Sequence, residues 1–287
     1  MNNQTIFMTG ATSGLGLEVA SHLASTGATV VVTVRSKEKG QALQDYYKSH
    51  YPTGQGTIED IECDLSSFES ILAACSTFKS RYDRLDTIIN NAGIWNFTFK
   101  ESKNQIEEIW HVNFLAPLLI NHLLVDLLSQ SPDAKIIYTA SALHQGDINF
   151  DDLEFNKGFS NLKAYRHSKL AVILMCRLLA KKLSPNIGVY SQHPGLVSTE
   201  LGRGGGYFAN LFFRTFGLSI EKGAQTLIFL AKEPKNNLIS GEYYTRLKVK
   251  QITKQSYDMA VAEKLFAVSK TYLAKYISQP SLIFGKK

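Results

Sequence analysis

Thr5-Ile6-Phe7-Met8-Thr9-Gly10-Ala11-Thr12-Ser13-Gly14-Leu15-Gly16 is the stretch that decides how this chain folds. Its first five residues are apolar or β-branched and read as a buried strand that stops at Gly10. From Leu15 to Thr26, Val19, Ala20 and Leu23 recur at helical spacing, and Gly27 ends the run. Glycines at 10, 14 and 16 allow a tight turn in which backbone can approach a pyrophosphate. The helix that follows adds free N–H groups and the positive end of its dipole. The spacing is Gly-x-x-x-Gly-x-Gly, and a glycine-rich turn alone is a weak signal. Its place between a clear strand and a clear helix makes Gly10, Thr12, Ser13, Gly14, Leu15 and Gly16 candidate dinucleotide contacts.

Beyond this turn the pattern repeats. Thr29 to Val34 is a β-branched strand, and Lys37 to Tyr51 an exposed helix ended by Pro52. Strands follow at Thr57 to Glu62, Leu85 to Asn90, Ala134 to Ala140 and Gly188 to Gln192. Helices are expected near Phe68 to Arg81, Gln105 to Leu128 and Lys163 to Leu183. Strict alternation of this kind predicts an α/β fold of Rossmann type: a doubly wound parallel sheet with helices on both faces. Its ligands belong at the carboxyl ends of the strands. The 287 residues, 44% hydrophobic, suit one domain over 1–287, with a C-terminal helical extension near 256–277.

Composition excludes several classes. The net charge of +6 is modest. The basic residues Lys235, Arg246, Lys248, Lys250 and Lys254 lack the aromatic and base-reading motifs of a nucleic-acid site and read as a solvated surface. Cys63, Cys75 and Cys176 are odd in number and scattered, which suits a reducing compartment and suggests neither a disulfide framework nor a metal site. Met1 to Gln4 lead straight into a strand, so the expectation is a cytoplasmic protein without signal peptide or anchor. Val112 to Leu128 is the most apolar stretch, but it contains Asn113, Pro117, Asn121, His122 and Asp126, and reads as a core helix rather than an integral membrane segment.

At the end of the second strand stands Arg35. An acidic residue there would bond the adenosine ribose hydroxyls, whereas Arg35 favours a 2′-phosphate, so the sequence points to NADP(H) over NAD(H). The plain alternative is an exposed loop charge. Asp64 and Leu65, after the third strand, either face the adenine or, for Asp64, cap the next helix.

Tyr165 and Lys169 lie four apart in a helical segment, on one face. An ammonium fixed beside a phenol would lower the phenol's pKa from about 10, making it a proton donor and acceptor. The chain contains a second Tyr-x-x-x-Lys match, Tyr244 and Lys248, in a segment that reads as strand and turn, where the two side chains would not meet.

Taken in order, these residues resemble the short-chain dehydrogenase/reductase family. The resemblance covers essentially the whole chain. It rests on the Thr9-to-Gly16 turn, Asn90-Asn91-Ala92-Gly93, Asn113, Ser141 after Ile136-Ile137-Tyr138-Thr139-Ala140, Tyr165 with Lys169, and Pro194-Gly195 with Thr199. Tyr165 to Ala171, His193 to Leu201 and the tail around Gly241-Glu242-Tyr243-Tyr244 look most like the retinol-dehydrogenase-like branch. The resemblance implies an oxidoreductase exchanging a hydride between nicotinamide and a small apolar alcohol or carbonyl. Tyr165 would exchange the proton, and Lys169 would lower its pKa and bind the nicotinamide ribose. Ser141 would orient the substrate oxygen, and Asn113 would hold a water linking Lys169 to solvent. Asn91, Ala92 and Gly93 would pack along the cofactor. Pro194, Gly195, Val197 and Thr199 would complete its site, the last two at the carboxamide. Animal members of that branch usually carry a membrane anchor ahead of the first strand, which this sequence does not show.

A competing class is a non-catalytic NADP(H) sensor on the same fold, which would be expected to lose Tyr165 or Lys169. His144 and His167 lack metal-ligand spacing, and Trp95 and Trp110 read as packing residues, although Trp95 could line the pocket because it follows the Asn-Asn-Ala-Gly turn. Residues 200–217, three glycines followed by aromatics, read as an apolar substrate lid, with a subunit contact or membrane-surface contact as alternatives. A homo-oligomer is compatible with the sequence.

Overall fold

The computed structural model of the protein describes residues 1, 3–183, 185–195, 219–277 and 281–285. An eight-stranded sheet runs through it in the order β3-β2-β1-β4-β5-β6-β7-β8. The strands are β1 (Thr5–Thr9), β2 (Thr29–Val34), β3 (Thr57–Glu62), β4 (Thr87–Asn90), β5 (Ala134–Thr139), β6 (Ile187–Gln192), β7 (Tyr243–Thr245) and β8 (Lys248–Val249). All neighbours pair in parallel except β7 and β8, which form an antiparallel hairpin. β1 and β4 are neighbours although β2 and β3 intervene in sequence. Here the winding reverses direction and a crevice opens at the carboxyl ends.

Both sheet faces are covered, which is why the strands are nearly continuous runs of Val and Ile. On one face α1 (Gly14–Ser25) packs beside the helix Ile220–Lys232, with α2 (Lys37–His50) alongside, over Ile6, Met8, Val30 and Val32. On the other lie α3 (Phe68–Arg81), α5 (Ala116–Leu128), α6 (Asn161–Lys182) and the helix Met259–Leu273, over Phe7, Val31, Ile88 and Ile136. Tyr244 and Lys248 sit on opposite strands of the β7–β8 hairpin, with Tyr244 paired to Val249, so the second Tyr-x-x-x-Lys match brings no pair together.

The expected helix from Gln105 to Leu128 needs correction. Gln105 has φ 57° and belongs to a turn. The helix starts at α4 (Glu108–Trp110), capped by the Glu107 carboxylate, which accepts from the backbone N–H of Ile109 and Trp110. A π-helical turn, His111–Leu115, then leads into α5. Pro117 supplies a reason: it lies four residues after Asn113 and has no N–H to return to that carbonyl, so regular α pairing fails there. Glu108–Leu128 is long and apolar enough to cross a membrane, yet 83% of its most apolar window is buried inside the fold.

Candidate active site

Six strand ends converge on one cavity of about 900 Å³. Gly10, Thr12, Ser13, Gly14, Leu15 and Gly16 line one end with Arg35, Asp64 and Leu65. Asn91, Ala92 and Gly93 line the middle, and Ser141, Tyr165, Lys169, Pro194 and Gly195 the other end. These residues, far apart in the chain between Gly10 and Gly195, thus face one space. Val197 and Thr199, and the lid expected at 200–217, lie outside the described residues.

The glycine turn is close-packed. Gly10 has φ 70°, and a Cβ there would lie 2.6 Å from Ala92 Cα, so β1 and β4 approach within backbone contact. A Cβ on Gly16 would overlap the Gly10 carbonyl oxygen and lie 2.7 Å from Asn91 Nδ2. Asn91 Nδ2 donates to the Gly10 carbonyl at 2.8 Å, and the Ala92 N–H donates to Thr9 Oγ1 at 3.1 Å. Ser13 is the N-cap of α1, but its side chain makes no capping hydrogen bond. The first N–H groups of α1 are therefore left to a ligand at the cavity's end, the donor set that a diphosphate requires.

Arg35 is exposed at the rim and, among the described residues, has no carboxylate partner. Asp64 lines the cavity and does not cap the next helix. Its carboxylate accepts from the Ser66 N–H and hydroxyl and pairs with Lys103 at 2.9 Å, while the helix cap is Ser67. Burial would raise its pKa, but these contacts outweigh burial and hold the carboxyl below its ordinary value.

At the other end, Lys169 Nζ donates to the Thr139 carbonyl at 3.0 Å and lies 5.6 Å from the centre of the Tyr165 ring. Thr139 joins the strand ends: its hydroxyl donates to Asn91 Oδ1 at 3.1 Å and accepts from Gln192 Nε2 at 3.0 Å. Asn113 accepts from the Ile94 N–H at 2.8 Å and donates to the Ile94 carbonyl at 3.0 Å and to Ser168 Oγ at 3.1 Å. Its side chain thus clamps the loop after β4. Gly93 threads beside it, since a Cβ there would stand 3.2 Å from Lys169 Nζ and 3.5 Å from Asn113 Oδ1.

One expectation fails. Tyr165 is not drawn toward neutrality; burial pushes its pKa up to about 12, with a hydrogen bond from Ser141 acting the other way. Burial also brings Lys169 down to about 8. Both shifts have one cause, because a site that excludes water disfavours whichever form is charged.

Neither Thr139, whose main-chain oxygen holds Lys169, nor the contact between Asn113 and Ser168 has a signal in the sequence. Trp95 is more than a packing residue: its indole stacks on the Tyr165 ring at 4.7 Å and 16° and lines the cavity. Only its position after Asn-Asn-Ala-Gly hinted at this. His144 donates from Nδ1 to the Ser141 carbonyl at 2.7 Å and so braces the strand end, while His167 Nε2 accepts from the Asn149 N–H at 3.2 Å.

Known proteins match this arrangement. The profile of the short chain dehydrogenase family matches residues 4–205. Human retinol dehydrogenase 14 is 33% identical, over 94% of this chain and 86% of its own length. Mouse retinol dehydrogenase 12 is 32% identical, over 93% and 85%. Among solved structures, an uncharacterised protein from Mycobacterium paratuberculosis superposes with a TM-score of 0.76 at 26% identity, over 94% of this chain and 93% of that one. Salutaridine reductase from Papaver somniferum shares the fold, with a TM-score of 0.67 at 21% identity over 84% and 99%. A profile match over most of the chain, joined to one-third identity with full-length relatives, makes this protein a member of the short-chain dehydrogenase/reductase family, an NAD(P)-binding oxidoreductase of its retinol-dehydrogenase-like branch.

Proposed function

We propose that the protein is an NADP(H)-dependent oxidoreductase of apolar alcohols and carbonyls, with Tyr165 as the group that gives or takes the proton. The observation that carries this reading is the shared cavity: Ser141, Tyr165 and Lys169 line the same space as the uncapped start of α1 and Arg35, which has no carboxylate partner among the described residues. The α1 N-terminus and the glycine turn would hold the diphosphate, and Arg35 the 2′-phosphate. When bound, the dinucleotide supplies or accepts the hydride.

The residues then divide the remaining work. A phenol with its pKa near 12 is protonated at neutral pH, so Tyr165 is poised to donate to an oxygen that gains negative charge. Ser141, hydrogen-bonded to Tyr165, would orient the same oxygen. Lys169 keeps its charge at neutral pH, with its pKa near 8, and stands close enough to stabilise the phenolate left behind. Ile94, Trp95, Val112 and Leu143 line the same cavity as Tyr165, with Trp95 stacked on its ring, which supports an apolar substrate; the retinoid named for the relatives is one such molecule.

The test is NADPH or NADH oxidation, followed by absorbance, against a panel of apolar, charged and sugar-like carbonyls. Apolar aldehydes or ketones should be turned over. Tyr165→Phe should lower kcat by about 10²-fold or more while the protein still binds the dinucleotide. A Phe variant as fast as wild type overturns the assignment of Tyr165. Tight NADPH binding with no turnover of any carbonyl would instead establish a sensor.

A further inference from the structure

Tyr165 is only 5% exposed, and part of its cover is aromatic. Trp95 lies nearly parallel to the phenol, and Phe97 lies nearly parallel to Trp95, with centroids 6.0 Å apart and 12° between planes. Both rings line the cavity. Trp95 Nε1, like that of Trp110, is buried without an acceptor among the described residues. What sets Trp95 apart is that its ring lines the cavity and stacks on the phenol of Tyr165. An oxygen held at Ser141 and Tyr165 would carry its substituents into the cavity that these rings line.

We propose that Trp95 is the specificity-determining wall of this site, favouring substrates whose carbonyl or carbinol carbon is attached to a flat unsaturated group, aryl or conjugated alkene, over saturated chains of equal length. The inference rests on the reading of the site as one for apolar alcohols and carbonyls. Two effects give it direction. A planar π-system gains from offset or edge contact with an indole beyond the area it buries. A conjugated chain is already rigid, whereas a saturated chain loses rotamer freedom when it is laid along a wall.

The matched pair trans-cinnamyl alcohol and 3-phenylpropan-1-ol, with their aldehydes, differs only in the double bond. Binding can be read without turnover. The chain has two tryptophans, and Trp110, 2% exposed, stacked on His167 and tilted against Phe114, lies outside the cavity lining. In Trp110→Phe, excited beyond the absorption band of the tyrosines, Trp95 is the one emitting side chain. Cinnamyl alcohol should change that emission with a Kd about three- to tenfold below that of 3-phenylpropan-1-ol. Equal affinities, or no change in emission with either alcohol, overturn the proposal.

Kinetics on the wild-type background give a second readout if Trp110→Phe does not fold. The ratio of kcat/KM for cinnamaldehyde over 3-phenylpropanal should be kept by Trp95→Phe and fall about three- to tenfold in Trp95→Leu, mainly through KM of the flat aldehyde. A ratio unchanged in Trp95→Leu refutes the assignment even if both rates drop. A wild-type protein that reduces neither aldehyde but discriminates between the alcohols in binding leaves Trp95 in its role and removes the catalytic reading instead.

Discussion

Arg35 shows how much one residue type can carry. At the end of β2 a carboxylate would bond ribose hydroxyls and repel a phosphate, and a guanidinium reverses both effects. Its freedom from any carboxylate among the described residues leaves that charge available. A charge-assisted contact contributes about 1.5–3 kcal/mol, roughly tenfold to a hundredfold in affinity. NADPH should therefore bind that much more tightly than NADH, and Arg35→Asp should erase or invert the preference. Titration of both dinucleotides checks this, and equal wild-type affinities would sink it. Tyr165 shows the opposite case. Its partner was legible from four-residue spacing, but the direction of its pKa was not, because burial by Trp95 and the fold around it cannot be read from neighbours in sequence.

The elements were legible where local chemistry and tertiary fate agree. β1 and β2 are β-branched or apolar runs bounded by glycine or charge, and both lie in the sheet where expected. The stretch 105–128 was legible as helix but not in detail. Its N-cap is Glu107, outside the Ser, Thr, Asp and Asn set that usually marks a start. Its π turn changes the period over five residues only, too few for a hydrophobic pattern to register, and Pro117 was the one local signal. The α1 turn yields a sharper test. Because a Cβ on Gly16 would overlap the Gly10 carbonyl oxygen and crowd Asn91, Gly16→Ala must push α1 away from β1 and β4. Overpacking of this kind costs about 1–3 kcal/mol. Thermal unfolding should show the loss, and dinucleotide affinity should fall at least as steeply. An Ala variant with wild-type stability and affinity would show that the turn has slack the packing does not reveal.

On the scale of the whole molecule, the balance of buried ionisable groups sets an acid limit to stability. Burial lowers His111, His122, His167 and His193 to about 4, from an ordinary value near 6.5. Between those values the unfolded chain binds protons that the folded chain refuses, so stability rises with pH across the window and is lost as pH falls through it. Glu107 works the other way: burial raises it to about 7, so between its ordinary range and 7 the folded chain holds the extra proton and stability falls as pH rises. Four groups oppose one, and the histidines decide the sign. Glu69, held down to about 2 by hydrogen bonds led by Tyr276, adds a further loss once pH drops below the ordinary carboxylate range. Each full pKa displacement of one unit corresponds to about 1.4 kcal/mol, so even a partial effect from these histidines amounts to at least about 2 kcal/mol. The melting temperature should therefore be highest near neutrality and fall by several degrees between pH 6.5 and 4.5, with an unfolding transition that releases fewer protons than it takes up. Replacing His122, whose Nδ1 is hydrogen-bonded to Ser281 at 2.6 Å, with Gln should keep a polar partner for Ser281 while removing one titration, and so flatten the slope. A melting temperature that stays level or rises on acidification to pH 4.5 would show that the histidines are not held neutral by the fold.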